Sequence, residues 1–422
     1  MNTPSPILRA LALPSALLLL SLPISGRADA PAGPQEPPAS WIDPDTGHRV
    51  ILLTREPGSA SFYFNDNGYT PDGKEMVYTT PAGISVLNLA TLQARQVVPA
   101  PAKSISVGRK TPTIYYLKAT DDPLFSTLWS TNVDTGETRK IADLPRRGGI
   151  FTINADETLA AGTYIEGDGA DYGGPGTMQT HILDQPVNKP QMMADRLAAR
   201  LPIDMYTVDL ANGKSTILLH STDWLNHLQF SPTDPTLLMY CHEGAWHQVD
   251  RIWTIRTDGS QNQLIHKRTM EMEIAGHEWW GLDGKTVWYQ LSLPRGVPSS
   301  EFLAGYNVET GERIWYHYDH DAASIHHNIS PDGTVFCGDG NHGNPWIILC
   351  HPVRIADDHT LGSNLIKGGY FKVERLVNMA RQNYRLEPNP SFTPDQKWVV
   401  FRANMYGATY SFAVEVAKAG SP

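Results

Sequence analysis

The stretch HHNISPDGTVFCG (His326–Gly338) has the pattern of a short strand, a Ser-Pro-Asp-Gly turn and a second, apolar strand. Proline and glycine favour the backbone angles of a tight turn, and the residues on either side favour strands. Six further stretches repeat this pattern. They are YTPDGKEMVY (69–78), SVGRKTPTIYY (106–116), INADETLAAG (153–162), FSPTDPTLLMY (230–240), GLDGKTVWYQ (281–290) and FTPDQKWVVF (392–401).

The repeats lie mostly about 45–60 residues apart, which is the scale of one four-stranded propeller blade. Further strands joined by hairpin signals follow most turns, and patterns of amphipathic helices are nearly absent. The sequence therefore predicts an all-β fold, a seven-bladed β-propeller. The last repeat supplies three strands, and the N-terminal run HRVILLT (48–54) is expected to join the last blade and close the ring.

The chain divides into three parts by composition. Residues 1–30 have the features of a secretory signal peptide, with a leucine-rich run and Ala-Asp-Ala at 28–30 as the cleavage pattern. Residues 31–44 are a Pro-rich linker, and residues 45–418 form the propeller. The insertion 166–201 is long enough to act as a lid. We therefore expect an exported protein, periplasmic or secreted, with no membrane span after signal cleavage.

Charge and cysteine content exclude some classes of function. The formal net charge is -10, only 18% of residues are charged, and there is no basic run, so nucleic acid is not an expected partner. The three cysteines are too few for a scaffold built on disulfides. Cys337 and Cys350 are a possible pair, and burial of all three as small apolar residues is the alternative.

Three inner strands carry a histidine at the same register. Counting back four residues from the first turn residue gives His227, His277 and His326, and the same count gives Asn389 and Asp66. Equal register in units arranged around an axis places these side chains in one region. Converging titratable groups of this kind mark a functional site.

Several stretches resemble the oligogalacturonate lyases of bacteria. The resemblance is strongest over WLNHLQFSPTDPTLLMYCHEGAWHQVDRIWTIRTDGSQ (Trp224–Gln261), GHEWW (Gly276–Trp280), HHNISPDGTVFCGDG (His326–Gly340) and PSFTPDQKWVVF (Pro390–Phe401). That family consists of seven-bladed propellers that cleave uronic-acid linkages by β-elimination. Its members bind manganese through histidines and a glutamine. The resemblance implies a carbon–oxygen lyase with a divalent metal and no organic cofactor.

The resemblance also implies roles for individual residues. The histidine of CHEG, His242, corresponds to the family's catalytic base, and His277 in GHEWW corresponds to a metal ligand with a part in catalysis. His227, His326 and Asn389 would then contact the substrate at the mouth of the propeller.

The segment RQNYRLEPNPSFTP (381–394) departs from the family's Gln-x-x-His-x-His pattern. The two histidine positions hold Glu387 and Asn389, and the glutamine position is either Tyr384 or, with a small shift, Gln382. A metal set of His277, Gln382, Glu387 and Asn389 is rich in oxygen and favours manganese or calcium.

A site without a metal is the alternative interpretation. Arg381 or Arg385 would then hold the substrate carboxylate, and Tyr384 would act as acid or base. The two arginines are as readily explained as exposed loop charges.

The resemblance implies a uronate-containing plant oligo- or polysaccharide as the partner. The departures from the family pattern, together with the export signal, favour L-rhamnosyl-α-1,4-D-glucuronate ends of arabinogalactan glycans as the substrate, and oligogalacturonate from pectin is the other candidate. A non-catalytic propeller that binds glycans or proteins in the periplasm is the main alternative. A glycoside hydrolase is the third possibility, with its carboxylates drawn from Asp66, Glu243, Glu278 and Glu387.

Overall fold

The computed structural model describes residues 36–167, 188–296, 298–357 and 364–420. The predicted signal peptide and most of the Gly-rich part of the predicted lid lie outside the described residues. Within them the fold is all-β, with one α-helix, α1 (Lys189–Ala199), and a short 3-10 turn at His320–Ala322. No helix in these ranges is long and apolar enough to cross a membrane.

The strands form antiparallel groups that follow one another in chain order. The first two strands are β1 (Ser40–Ile42) and β2 (His48–Leu52). The first group contains β3–β5 (Glu75–Thr80, Gly83–Asn88, Ala94–Pro99). The second contains β6–β9 (Lys103–Val107, Thr113–Ala119, Ser126–Asn132, Thr138–Asp143). The third contains β10–β13 (Gly149–Ile153, Leu159–Ile165, Ile203–Asp209, Ser215–Ser221).

Four more groups complete the chain. The fourth contains β14–β17 (Trp224–Phe230, Leu237–Glu243, Ile252–Arg256, Gln263–Leu264). The fifth contains β18–β21 (Ile274–Trp280, Thr286–Ser292, Glu301–Asn307, Arg313–Tyr318). The sixth contains β22–β25 (His327–Ile329, Phe336–Gly338, Trp346–Arg354, Lys367–Asn378). The last contains β26–β28 (Ser391–Phe392, Trp398–Tyr406, Ala408–Lys418).

The fifth and sixth groups share one eight-stranded sheet, which the sequence does not predict. The first residues of the long strand β25 run parallel to β21, with Ile314 opposite Lys367 and His317 opposite Tyr370. The seven strand groups therefore make six hydrogen-bonded sheets.

The N-terminal strands belong to the last sheet. Strand β2 pairs antiparallel with β28, and β1 pairs with β2 at the edge. The predicted linker 31–44 is therefore too long, because Ser40–Ile42 is a strand. The reason is packing, since the ring of Trp41 lies 5.8 Å from that of Phe412 in an edge-to-face contact.

Apolar clusters fill the space between neighbouring groups. One of them joins the second group to the third through Leu128, Ile150 and Tyr206. The three cysteines are buried and unpaired, which corrects the possible Cys337–Cys350 disulfide.

Candidate active site

A repeated backbone distortion places three of the predicted side chains. His227, His277 and Asn389 have φ angles of 50°, 48° and 52°. Positive φ is uncommon for residues other than glycine and persists only where the surroundings enforce it. In β14 and β18 the residue lies in a β-bulge, which redirects a side chain from its place in the pleat. The equal spacing from the turn therefore reflects equal backbone geometry.

A cavity of about 520 Å³ opens beside these strands. Of the predicted site residues, it is lined by His227, His277 and Glu387, and Tyr63 and Lys103 also border it. It therefore offers two imidazoles, a carboxylate, a phenol and an ammonium group within one space large enough for sugar residues.

His227 is paired with a buried carboxylate. Its Nε2 atom lies 3.3 Å from Oε2 of Glu243, which in turn bonds the guanidinium of Arg251. Arg251 also lies 3.2 Å from Glu278. Burial alone would raise the pKa of Glu243, but Arg251 and His227 hold it well below its usual range. The carboxylate is therefore ionised, and it orients the imidazole beside the cavity.

His277 is fixed by a carboxamide. Its Nδ1 lies 2.7 Å from Oε1 of Gln290, whose amide nitrogen donates to the carbonyl of Ser324 at 2.8 Å. Because the amide oxygen of Gln290 can only accept, Nδ1 carries the ring proton and Nε2 has a free lone pair. Burial, together with the neighbouring His326, lowers the pKa of His277 well below its ordinary value. A neutral imidazole of this kind is suited to ligating a metal.

His326 connects a phenol to a carboxylate. Its Nδ1 lies 2.9 Å from Oδ2 of Asp339, and the hydroxyl of Tyr63 lies 3.0 Å from its Nε2. The ring centroids of His326 and His277 are 4.9 Å apart, and Glu387 lies 3.8 Å from Nε2 of His326. The structure therefore brings His326 and His277 together, in line with their common register, and places Glu387, which the family resemblance suggested, beside them.

Asn389 completes this cluster. Its backbone nitrogen donates to Asp339 at 3.3 Å, and its side-chain nitrogen donates to the carbonyl of Glu387 at 3.0 Å. Its side-chain oxygen is buried and accepts no hydrogen bond from the described residues. A buried oxygen without a hydrogen bond destabilises the fold unless a ligand bonds to it.

The structure places His242 and Tyr384 away from the cavity lining. His242 stacks on Trp253 with centroids 4.9 Å apart, and its Nδ1 lies 3.7 Å from Asp223. It neighbours Glu243 on β15, so the alternation of the strand directs it to the opposite face. Tyr384 donates to the carbonyl of Asp339 at 3.0 Å, and burial raises its pKa. This position does not support an acid–base role.

The other three predicted residues have structural explanations. The amide of Gln382 is used at both ends, donating to the carbonyl of Leu386 at 2.7 Å and accepting from the nitrogen of Asn404 at 2.9 Å. These backbone contacts explain the position of Gln382 without a metal. Arg381 lies over the ring of Tyr406, and Arg385 is exposed. Both positions favour the explanation of these arginines as loop charges.

Known proteins share this sequence and fold. The family model for oligogalacturonate lyase matches residues 40–419. The chain belongs to the oligogalacturonate lyase family. An oligogalacturonate lyase of Dickeya dadantii (strain 3937) is 24% identical over 405 residues, covering 89% of this chain and 95% of the relative. The family resemblance is thus confirmed, and the chain is a lyase of oligo- or polysaccharides.

Two solved structures of this family have the same fold. An oligogalacturonate lyase in complex with manganese gives a TM-score of 0.72 at 21% identity, covering 90% of this chain and 96% of its own. An oligogalacturonate lyase from Vibrio parahaemolyticus gives 0.71 at 22% identity with the same coverage. At these identities the likeness establishes the all-β fold.

Several residues without a predicted role in a lyase support the site in this oligogalacturonate lyase family member. Glu243 and Arg251 lie inside the CHEG…VDRIW stretch that carries the resemblance, but the sequence suggests Glu243 only as a hydrolase carboxylate and indicates no role for Arg251. Asp339 lies in the Gly-Asp-Gly that follows the sixth turn. Gln290 and Lys103 had no motif that could have identified them.

Asp66 predicts a pH dependence of stability. It borders both the cavity and a second one near the Pro-Asp-Gly turns. Burial raises its pKa to about 7 from an ordinary 3.8, with Lys103 and His227 acting in the opposite direction. The folded chain therefore binds this proton more tightly, and the free energy of unfolding should fall as pH rises from about 4 to about 7.

Asp66→Asn cannot ionise and should flatten this part of the profile in urea unfolding at a series of pH values. An equally steep profile in the variant would show that other groups cause the dependence.

Proposed function

We propose that the chain is an exported lyase that cleaves a 4-linked uronate bond by β-elimination. Oligogalacturonate is the first candidate substrate, since the family model and the relatives carry that name. The cavity that joins His227, His277, Glu387 and Lys103 is the observation that carries the proposal. Rhamnosyl-glucuronate ends are the second candidate, because Glu387 and Asn389 replace two histidines of the family pattern.

β-Elimination needs a base for the C5 proton and a proton for the leaving oxygen at C4. Of the two imidazoles that line the cavity, we assign the role of base to His227, because the ionised Glu243 stabilises the cation that forms when His227 accepts a proton. The C5–H electron pair then forms the C4–C5 double bond and the C4–O bond breaks. Tyr63 borders the same cavity, and burial raises its pKa, so its protonated phenol is the group we assign to protonate the leaving oxygen.

The described residues in and beside this cavity offer donor atoms that suit a divalent cation. His277 offers a neutral imidazole, Glu387 a carboxylate and Asn389 an oxygen without a partner. Nitrogen and oxygen donors of this kind suit manganese. Calcium, a hard cation that prefers oxygen ligands, is the alternative. When bound, such a cation supplies positive charge that makes the C5 proton of a uronate more acidic. Lys103 supplies further positive charge from this chain itself.

The seven strand groups are proposed to be the blades of a closed ring. Side-chain hydrogen bonds join neighbouring groups, for example from Asn67 to the carbonyl of Val107 and from Asn154 to the carbonyl of Pro235. The pairing of β2 with β28 joins the two ends of the chain. Export rests on the apolar N-terminal run in the sequence.

The decisive experiment measures the ultraviolet absorbance of the unsaturated uronate product. Purified protein is given oligogalacturonate and, in parallel, a rhamnosyl-glucuronate glycan. Absorbance should rise with one of them, and the responding glycan identifies the substrate. New reducing ends without this absorbance would indicate hydrolysis, although Glu243 and Glu278 are both held by Arg251 and poorly placed for that chemistry. If neither the absorbance nor new reducing ends appear, the result favours a non-catalytic binding propeller.

Metal removal is a separate prediction. Dialysis against a chelator should abolish most of the activity, and manganese should restore more of it than calcium because His277 supplies a nitrogen ligand. His277→Ala should not be rescued by either ion at concentrations that restore the wild type. Full activity after chelation would support the alternative in which cationic side chains alone hold the carboxylate.

A further inference from the structure

A second cluster of ionisable groups lies on the third strand group, and none of its residues lines the cavity. Its members are Glu166, Asp204 and His220, which each offer one ligand atom, all within 4.8 Å of one another. Asp204 lies opposite His220 in the register of β12 and β13, and opposite Tyr164 on β11. Asp204 and His220 therefore project from the same face of adjacent strands, and Glu166 lies two residues beyond Tyr164, just after the end of β11.

Asp204 presents an electrostatic problem. Its side chain is only 2% exposed, and its Oδ1 atom accepts no hydrogen bond of regular geometry from the described residues. Among the described residues, no lysine or arginine forms an ion pair with Asp204 or Glu166. Burial, followed by a hydrogen bond to Asp204 and the charge of that carboxylate, raises the pKa of Tyr164 to about 12, so this neighbour across the strand is a neutral donor and supplies no charge. A buried carboxylate needs a compensating charge.

One imidazole atom cannot satisfy this arrangement. Nδ1 of His220 faces Oε1 of Glu166 at 3.4 Å and also contacts Oδ1 of Asp204. A single nitrogen carries at most one proton, which leaves one of the two carboxylate oxygens without a full partner. A cation between the three atoms would satisfy all of them at once.

We propose that Glu166, Asp204 and His220 form a divalent cation site separate from the catalytic cavity. Two carboxylates and an imidazole are a donor set for a first-row transition cation such as manganese or zinc. The site shares no residue with the set of His277, Glu387 and Asn389, and it does not depend on the proposed function.

The position of the site suggests its role. Glu166 follows the last residue of β11, and Asp204 lies at the start of β12, so the two carboxylates stand on either side of the insertion that contains α1. A cation held by both would fix the ends of these strands. Helix α1, which lies in the same insertion, contributes Met193 to the lining of the cavity.

Manganese binding to the full chain tests the proposal, with free and bound ion counted by electron paramagnetic resonance. His277→Ala is expected to remove the cavity site and leave one bound ion, and adding His220→Ala to it should remove that ion as well. Pulsed measurements on His277→Ala should show coupling to an imidazole nitrogen. Asp204→Asn in the same background should also lose the ion.

His220 is mostly exposed, with 67% of its side chain accessible, so His220→Ala should fold normally. His317→Ala is the matched control, because His317 is an exposed strand histidine beside one carboxylate, Asp319, at 4.0 Å. The control should retain the ion. The proposal is overturned if His220→Ala and Asp204→Asn bind as much manganese as the control, or if the ion in His277→Ala shows no nitrogen coupling.

Discussion

His227→Ala should lower kcat by about 10²–10⁴-fold, the usual contribution of a positioned acid or base. The imidazole borders the cavity and is held by Glu243, whose charge stabilises the protonated form that arises during catalysis. Because His227 is partly exposed and contributes little to the core, the variant should fold normally. Formation of the unsaturated product under saturating substrate measures kcat, and circular dichroism and thermal unfolding check the fold.

His242→Ala is the comparison that decides between the two candidate bases. The family resemblance assigns the base to His242, whereas the structure stacks His242 on Trp253 and pairs it with Asp223. We expect its loss to cost far less activity than the loss of His227. If His242→Ala is inactive and His227→Ala is not, the resemblance identifies the base correctly and His227 is a substrate-binding residue, as its register first indicated.

The predictable part of the site depends on repetition. The count of four residues back from the turn found His227, His277 and Asn389 because each occupies the same positive-φ position. A local backbone geometry that recurs in each unit is visible in one sequence. His326 obeys the same count without the positive φ, and it enters the site through its bonds to Asp339 and Tyr63.

The predictions that the structure does not support concern residues whose position depends on contacts with other segments of the chain. Gln382 and Tyr384 look like site residues in the sequence, but Gln382 donates to the carbonyl of Leu386, and Tyr384 donates to the carbonyl of Asp339, which is 45 residues away in the chain. Which of the adjacent residues His242 and Glu243 faces the cavity depends on the register of β14 with β15. The strand at Ser40–Ile42 was missed because proline-rich residues precede it and only its pairing partner reveals it.

Arg251→Met should destabilise the fold by about 3–5 kcal/mol, the usual cost of breaking a buried ion pair. Arg251 is 2% exposed and lies between Glu243 and Glu278, which are also buried. Without the guanidinium, both carboxylates would lose the cation that bonds them, while Glu243 would keep its contacts with His227 and with the indole N–H of Trp246. Urea unfolding measures the loss. Arg256→Met is the control, since its pair with Asp234 is about one-third exposed and should cost no more than about 1 kcal/mol.

The pH dependence separates this electrostatic effect from a simple packing defect. In Arg251→Met the pKa of Glu243 should rise in the folded state, because burial is no longer opposed by the guanidinium. The folded variant would then bind protons more tightly than the unfolded chain, so it should regain stability relative to the wild type as pH falls. A deficit that is constant from neutral to acid pH would mean that Arg251 acts through packing against Trp246, whose ring lies 4.5 Å from its guanidinium. The same titration bears on catalysis, since a protonated Glu243 could no longer stabilise the cation of His227.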